Sequence, residues 1–125
     1  MPKISLNNMP ETAPKAIKLK WTTTRDANDL PKEEKGIFVI ESERNGVIFV
    51  GSGAIGERVL ARLEEKPFEA YIKHGLRFAW APFDEKGRSK AVVAWLQSRY
   101  NPRLNAKTNS ASEEIPVNLP FPVAS

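Results

Sequence analysis

Residues 36–53 read GIFVIESERNGVIFVGSG, and this stretch limits the fold more than any other part of the chain. Two runs of β-branched and aromatic residues, Ile37 to Ile40 and Val47 to Val50, flank the turn Arg44-Asn45-Gly46. Asn-Gly between apolar runs signals a hairpin, because both residues tolerate the positive φ that a tight turn needs. Neither run alternates with polar residues, which suits strands buried on both faces.

The segments C-terminal to the hairpin supply the rest of a small fold. The glycines from Gly51 to Gly56 are expected to break the second strand. Ile55, Val59, Leu60 and Leu63 then fall on one face of a helix that Pro67 ends. The segment PFEAYIKHG, residues 67–75, reads as a short helix closed by Gly75, and LRFAWAP, residues 76–82, alternates as a third strand. After the turn FDEKGRS, the apolar residues Val92, Val93, Trp95, Leu96 and Tyr100 recur at helical spacing until Asn101-Pro102 stops them. The expected fold class is α+β, a small mixed three-stranded sheet flanked by helices.

This order divides the chain into three regions. Residues 1–32 form a polar, proline-punctuated lead with one expected edge strand at 16–22, where Ile17, Leu19 and Trp21 alternate. Residues 33–105 form the folded unit. Residues 106–125, AKTNSASEEIPVNLPFPVAS, read as a flexible tail without regular structure of its own.

Composition removes several function classes. With no cysteine, disulfides, thiolate zinc sites and cysteine nucleophiles are excluded, and His74 as the one histidine excludes multi-histidine metal sites. Any metal would need carboxylates. No apolar stretch approaches the roughly 20 residues of a membrane span, and the N-terminus lacks the apolar core of a secretion signal, so a soluble intracellular protein with no membrane partner is expected. The formal net charge is +4. Residues 21–105 hold fourteen basic and twelve acidic groups, so the body is only mildly basic and permits nucleic-acid binding without demanding it.

The order strand, strand, helix, short helix, strand, helix carries GIF at the start of the first strand, FVG closing the second, an arginine in the next helix, and YNPRLN after the last. In that joint order and spacing, residues 36–105 resemble the GIY-YIG nuclease domain. The resemblance implies a phosphodiester-cleaving site built from two tyrosines, an arginine on the first helix, a glutamate on the last helix that holds a divalent metal, and a bracing asparagine. Hydrolysis needs a group that handles the proton of water and a cation that neutralises the phosphoryl oxygens.

Carried over position by position, the chemistry is uneven. Phe38 and Phe49 stand where the two tyrosines would, and neither has a hydroxyl. Val93 stands where the glutamate would, and cannot bind Mg²⁺. Arg58 and Asn105 match. The resemblance thus implies a nucleic-acid-binding domain without effective nuclease activity, with no cofactor, Mg²⁺ entering only if cleavage survives. The candidate contacts to DNA or RNA are Arg58, Arg62, Lys73, His74 and Arg88.

Plainer readings stand beside these. Phe38 and Phe49 suit ordinary strand core, Arg58 suits a solvated helix charge, and His74 suits a helix-end partner of the dipole. Ser52 to Gly56 suits either an anion-holding helix start or a tight turn. Two other function classes remain open: a protein-interaction or inhibitor module docking through residues 115–123, and a divergent metal-dependent endonuclease using Glu41 or Glu85 as a displaced carboxylate with His74 as base.

Overall fold

The computed structural model describes residues 16–84, 88–105 and 114–123. The fold is α+β, with a four-stranded antiparallel sheet of order β1-β4-β2-β3. β1 is Thr22–Thr24, β2 Lys35–Ser42, β3 Gly46–Ala54 and β4 Leu76–Pro82. The helices are α1 (Ile55–Leu63), α2 (Lys66–Ile72) and α3 (Ser89–Tyr100), preceded by a 3₁₀ turn at Ala27–Asp29.

The central pairing is the hairpin of β2 and β3, with Gly46 at φ 75° in its turn. Between Val39↔Val50 and Glu41↔Val47 the register shifts, leaving Ile48 as an extra residue in β3. This bulge turns Ile48 and Phe49 to the same side of the sheet.

Two clusters fill the two faces. Ile37, Val39, Val50, Ala79 and Ala81 pack with Val92 and Leu96 of α3. Phe38, Ile40, Phe49 and Phe78 pack with Ile55 and Val59 of α1 and Phe68 of α2. The period-2 alternation along β2 thus feeds both layers, which is why its sequence is apolar at successive positions.

Three expectations are corrected. The sheet has four strands and is wholly antiparallel, because the threonines of β1 pair with Phe78 to Trp80 of β4; the edge strand lies at 22–24 rather than 16–22. Gly51 to Gly56 does not break β3, since Gly51, Ser52 and Gly53 pair with Phe38, Ile37 and Gly36. The segment 115–123 is not a loose tail: Ile115, Val117 and Phe121 are 6%, 5% and 4% exposed.

That C-terminal strap is fixed by hydrogen bonds to both ends of the fold. Ile17 donates to the Pro116 carbonyl (2.9 Å) and bridges Val117 in parallel. The Asn118 side chain accepts from the Leu19 amide (2.6 Å) and donates to the Leu19 carbonyl (2.9 Å), while Trp21 Nε1 donates to the Asn118 carbonyl (2.8 Å). The Tyr100 hydroxyl bonds the Phe121 backbone, and Arg77 lies over the Phe121 ring at 5.0 Å.

Candidate functional site

Phe38 and Phe49 lie side by side on the α1–α2 face, stacked with ring centroids 6.0 Å apart. Phe68 meets Phe49 edge-on at 5.8 Å, and Arg62 covers the outer side of Phe49 with its guanidinium 5.1 Å from the ring centre. The two rings are 2% and 7% exposed, so their surroundings are those of core residues. The end of the Phe38 ring abuts the backbone of β3: a Cβ on Gly51 would come within 2.7 Å of Phe38 Cζ and 3.0 Å of Phe49 Cε2.

Arg58 is exposed on the first turns of α1 and lies across Gly53, where an added Cβ would come within 2.9 Å of its Nε. Gly53 has φ 125°, a conformation that side-chain-bearing residues rarely adopt, so glycine here both bends the strand end and makes room for the arginine. Among the described residues Arg58 has no ion-pair partner. Arg62, one turn on, is committed to Glu65 (2.9 Å) as well as to Phe49.

The start of α1 is closed to anions. The amides of Ile55, Gly56 and Glu57 donate to the carbonyls of Glu34 (2.9 Å), Pro31 (3.0 Å) and Lys32 (3.3 Å). Donors that are free at many helix starts are used here to bind the incoming loop. Ser52 to Gly56 is therefore a strand-to-helix junction.

Asn105 grips the exposed edge of β3. Its Oδ1 accepts from the Val50 amide (2.8 Å) and its Nδ2 donates to the Val50 carbonyl (3.0 Å), while the Leu104 amide donates to the Ile48 carbonyl (2.9 Å). Two residues after α3 thus stand in for a missing neighbour strand. Val93 is half-buried on α3 and packs with the other cluster, on the face opposite the two phenylalanine rings. The five positions singled out from the motif order are consequently divided between the two faces and the β3 edge.

The other expected contacts are spread out. Lys73 and His74 are exposed just beyond α2, next to Gly75, whose carbonyl accepts from Glu43 at the hairpin turn. Arg58 sits at the far end of β3, roughly 20 Å away at about 3.3 Å per strand residue. Arg88 caps α3. One phosphate cannot touch all five.

The described residues at these positions do not supply the ligands of a divalent cation. Phe38, Phe49 and Val93 offer no oxygen, and among the described residues no group of three His, Cys, Asp or Glu side chains converges. Glu41 is 6% exposed and takes both Nε and Nη2 of Arg77, its partner across the strands, so it is not a spare carboxylate. Glu85 lies outside the described residues.

Sequence reasoning missed the strap contacts, although a signal existed. Buried Ala91, Val92, Ala94 and Leu96 and half-buried Val93, Trp95 and Tyr100 leave α3 apolar nearly all round. A helix of that kind needs a second cover besides the sheet. The strap provides it: Ile115 donates to the Ala91 carbonyl (3.3 Å), and Ser98 reaches Glu114 (3.3 Å).

No described helix is long and apolar enough to cross a membrane. Comparison with protein-family models, with characterised proteins and with solved structures finds no match for the chain.

Proposed function

We propose that the chain is a nucleic-acid-binding domain of GIY-YIG-like form that lacks effective nuclease activity. The single observation that carries this reading is Arg58: an exposed guanidinium, free of ion pairs among the described residues, laid across Gly53 beside the sealed Phe38–Phe49 pair. A permanently charged planar group in that setting can hold a backbone phosphate through two parallel bonds. Loss of acid–base groups and of a metal ligand together removes factors of about 10²–10⁴ and several kcal/mol more, so binding without cleavage is the consequence.

The support is chemical and positional. Phenylalanine at 38 and 49 keeps the aromatic core of the hairpin without either hydroxyl, and Asn105 braces β3, the strand that carries Gly53 near its end. The alternative that residues 115–123 dock onto a partner is weakened, because Ile115, Val117 and Phe121 are spent on the chain's own core and, of the large apolar side chains, only Leu119 and Val123 stay exposed.

Fluorescence anisotropy with labelled DNA and RNA at low and moderate salt tests the proposal. Arg58→Ala is expected to weaken binding about tenfold, the cost of one charge-assisted contact, and to flatten the salt dependence by about one unit of slope. Absence of binding to any nucleic acid, or metal-dependent cleavage that Arg58→Ala abolishes, overturns it.

A further inference from the structure

The described clefts differ in chemistry. One of about 530 Å³ is lined by Glu33, Glu34 and Asp84 against Lys35, and is acidic with no converging metal ligands. One of about 380 Å³ is an apolar groove between Leu63, Ile72, Leu76 and Phe78. The third, of about 330 Å³, lies between the β2–β3 turn and the C-terminal end of α3, and its lining among the described residues includes Arg99 and Arg103 but no carboxylate.

We propose that this third cleft is a binding site for a phosphate ester. Its two guanidiniums are unpaired with any acid among the described residues. Arg99 is held over the Trp95 ring at 5.1 Å, which limits its freedom and lowers the cost of fixing it on a ligand. The carbonyl end of α3 offsets only about half an elementary charge, so two positive charges leave more than one uncompensated.

The neutral lining adds to the case. Asn45 Oδ1 accepts from Ser42 (3.2 Å), leaving its Nδ2 hydrogens as donors. Asn101, turned into the left-handed conformation at φ 50°, commits its backbone amide to Gln97 (2.8 Å) and keeps its side-chain amide. Val47 and Val123 give the cleft an apolar wall for an organic body. A phosphate monoester, with close to two charges, answers two guanidiniums better than a singly charged carboxylate does, and a strand, with one charge per phosphodiester, would answer them with two neighbouring phosphates. The volume lies at the small end of the range for organic ligands, about 300–1,000 Å³.

This site is separate from the Arg58 surface, lying on α3 at the opposite end of β3 from Gly53. It stands or falls independently of the proposed function. The ester has two sources, a free mononucleotide or the backbone of a strand, and the test distinguishes them.

The full chain is titrated by calorimetry with adenosine 5′-monophosphate, with adenosine, and with a short single-stranded oligonucleotide. Binding of the monophosphate but not the nucleoside is expected, with Arg99→Gln and Arg103→Gln each weakening it about tenfold. If only the oligonucleotide binds, and the two glutamine variants weaken it, the source is a strand. If the double variant binds every probe as the wild type does, or if oligonucleotide binding falls only with Arg58→Ala, the site is refuted while the Arg58 proposal survives. Failure of both phosphate-bearing probes to bind also refutes it.

Discussion

At the scale of single residues, phenylalanine at position 38 is held in place by its neighbours. The Cζ end of Phe38, where a hydroxyl would be added, points at the backbone of Gly51 within the core. Phe38→Tyr is therefore expected to destabilise the fold by about 1–3 kcal/mol, through crowding and a buried hydroxyl without an assured partner. A urea midpoint in the variant equal to the wild type's would show instead that the ring end has room and a bonding partner. The glycines and the arginine of this region were legible as residue types. Their roles were not, because the closeness of Gly51 to Phe38 and of Gly53 to Arg58 depends on the register of β3 against β2, and that register contains a bulge.

At the scale of elements, α3 and the strap form one cooperative unit. Phe121 is buried on Arg77 and Tyr100, so Phe121→Ala should cost about 3 kcal/mol, the lower end for a core phenylalanine, since the Arg77 side chain beneath it stays 38% exposed. Chemical denaturation measures this, and a loss below about 0.5 kcal/mol, the size of a surface change, would mean that the strap is dispensable. Tyr100 adds a pH dependence. Burial, outweighing the favourable bond to the Phe121 backbone and aided by the charge of Glu41, pushes its pKa up to about 12 from an ordinary value of 10.0. In that window the folded chain keeps a proton that the unfolded chain releases. Stability from this group is therefore complete below pH 10.0, and is lost as the pH rises through about 12. The melting temperature should fall over that range, and Tyr100→Phe should reduce the slope; an identical slope in the variant would remove Tyr100 as its source.

For the whole molecule, the order β1-β4-β2-β3 makes β2 the strand paired along nearly its full length on both edges and covered on both faces, whereas β4 meets β1 only at Phe78 to Trp80. Its amides are expected to exchange most slowly with solvent deuterium, near the rate set by global unfolding, while the three-residue β1 opens earlier. Faster exchange in β2 than in β1, read by mass spectrometry, would contradict a core centred on β2. The same architecture separates the exposed candidate contacts. Lys73 and His74 lie at the hairpin-turn end, and Arg58 lies at the other. A nucleic acid bound by the whole set would have to run along the body, and the salt slope of binding would count those contacts.

Local pattern alone specified the hairpin, the stripe on α1, the alternation of β4 and the extent of α3, because each arises from the period at which apolar side chains repeat along a few turns or pleats. Three-dimensional contact alone decided the fourth strand, the burial of Ile115, Val117 and Phe121 and the closure of the α1 start. Thr22 to Thr24 pair with Phe78 to Trp80, and Asn118 pairs with Leu19, a separation of 99 residues that no short window of sequence contains. A polar, proline-rich segment looks like a tail until the core beside α3 offers three of its large apolar side chains somewhere to go.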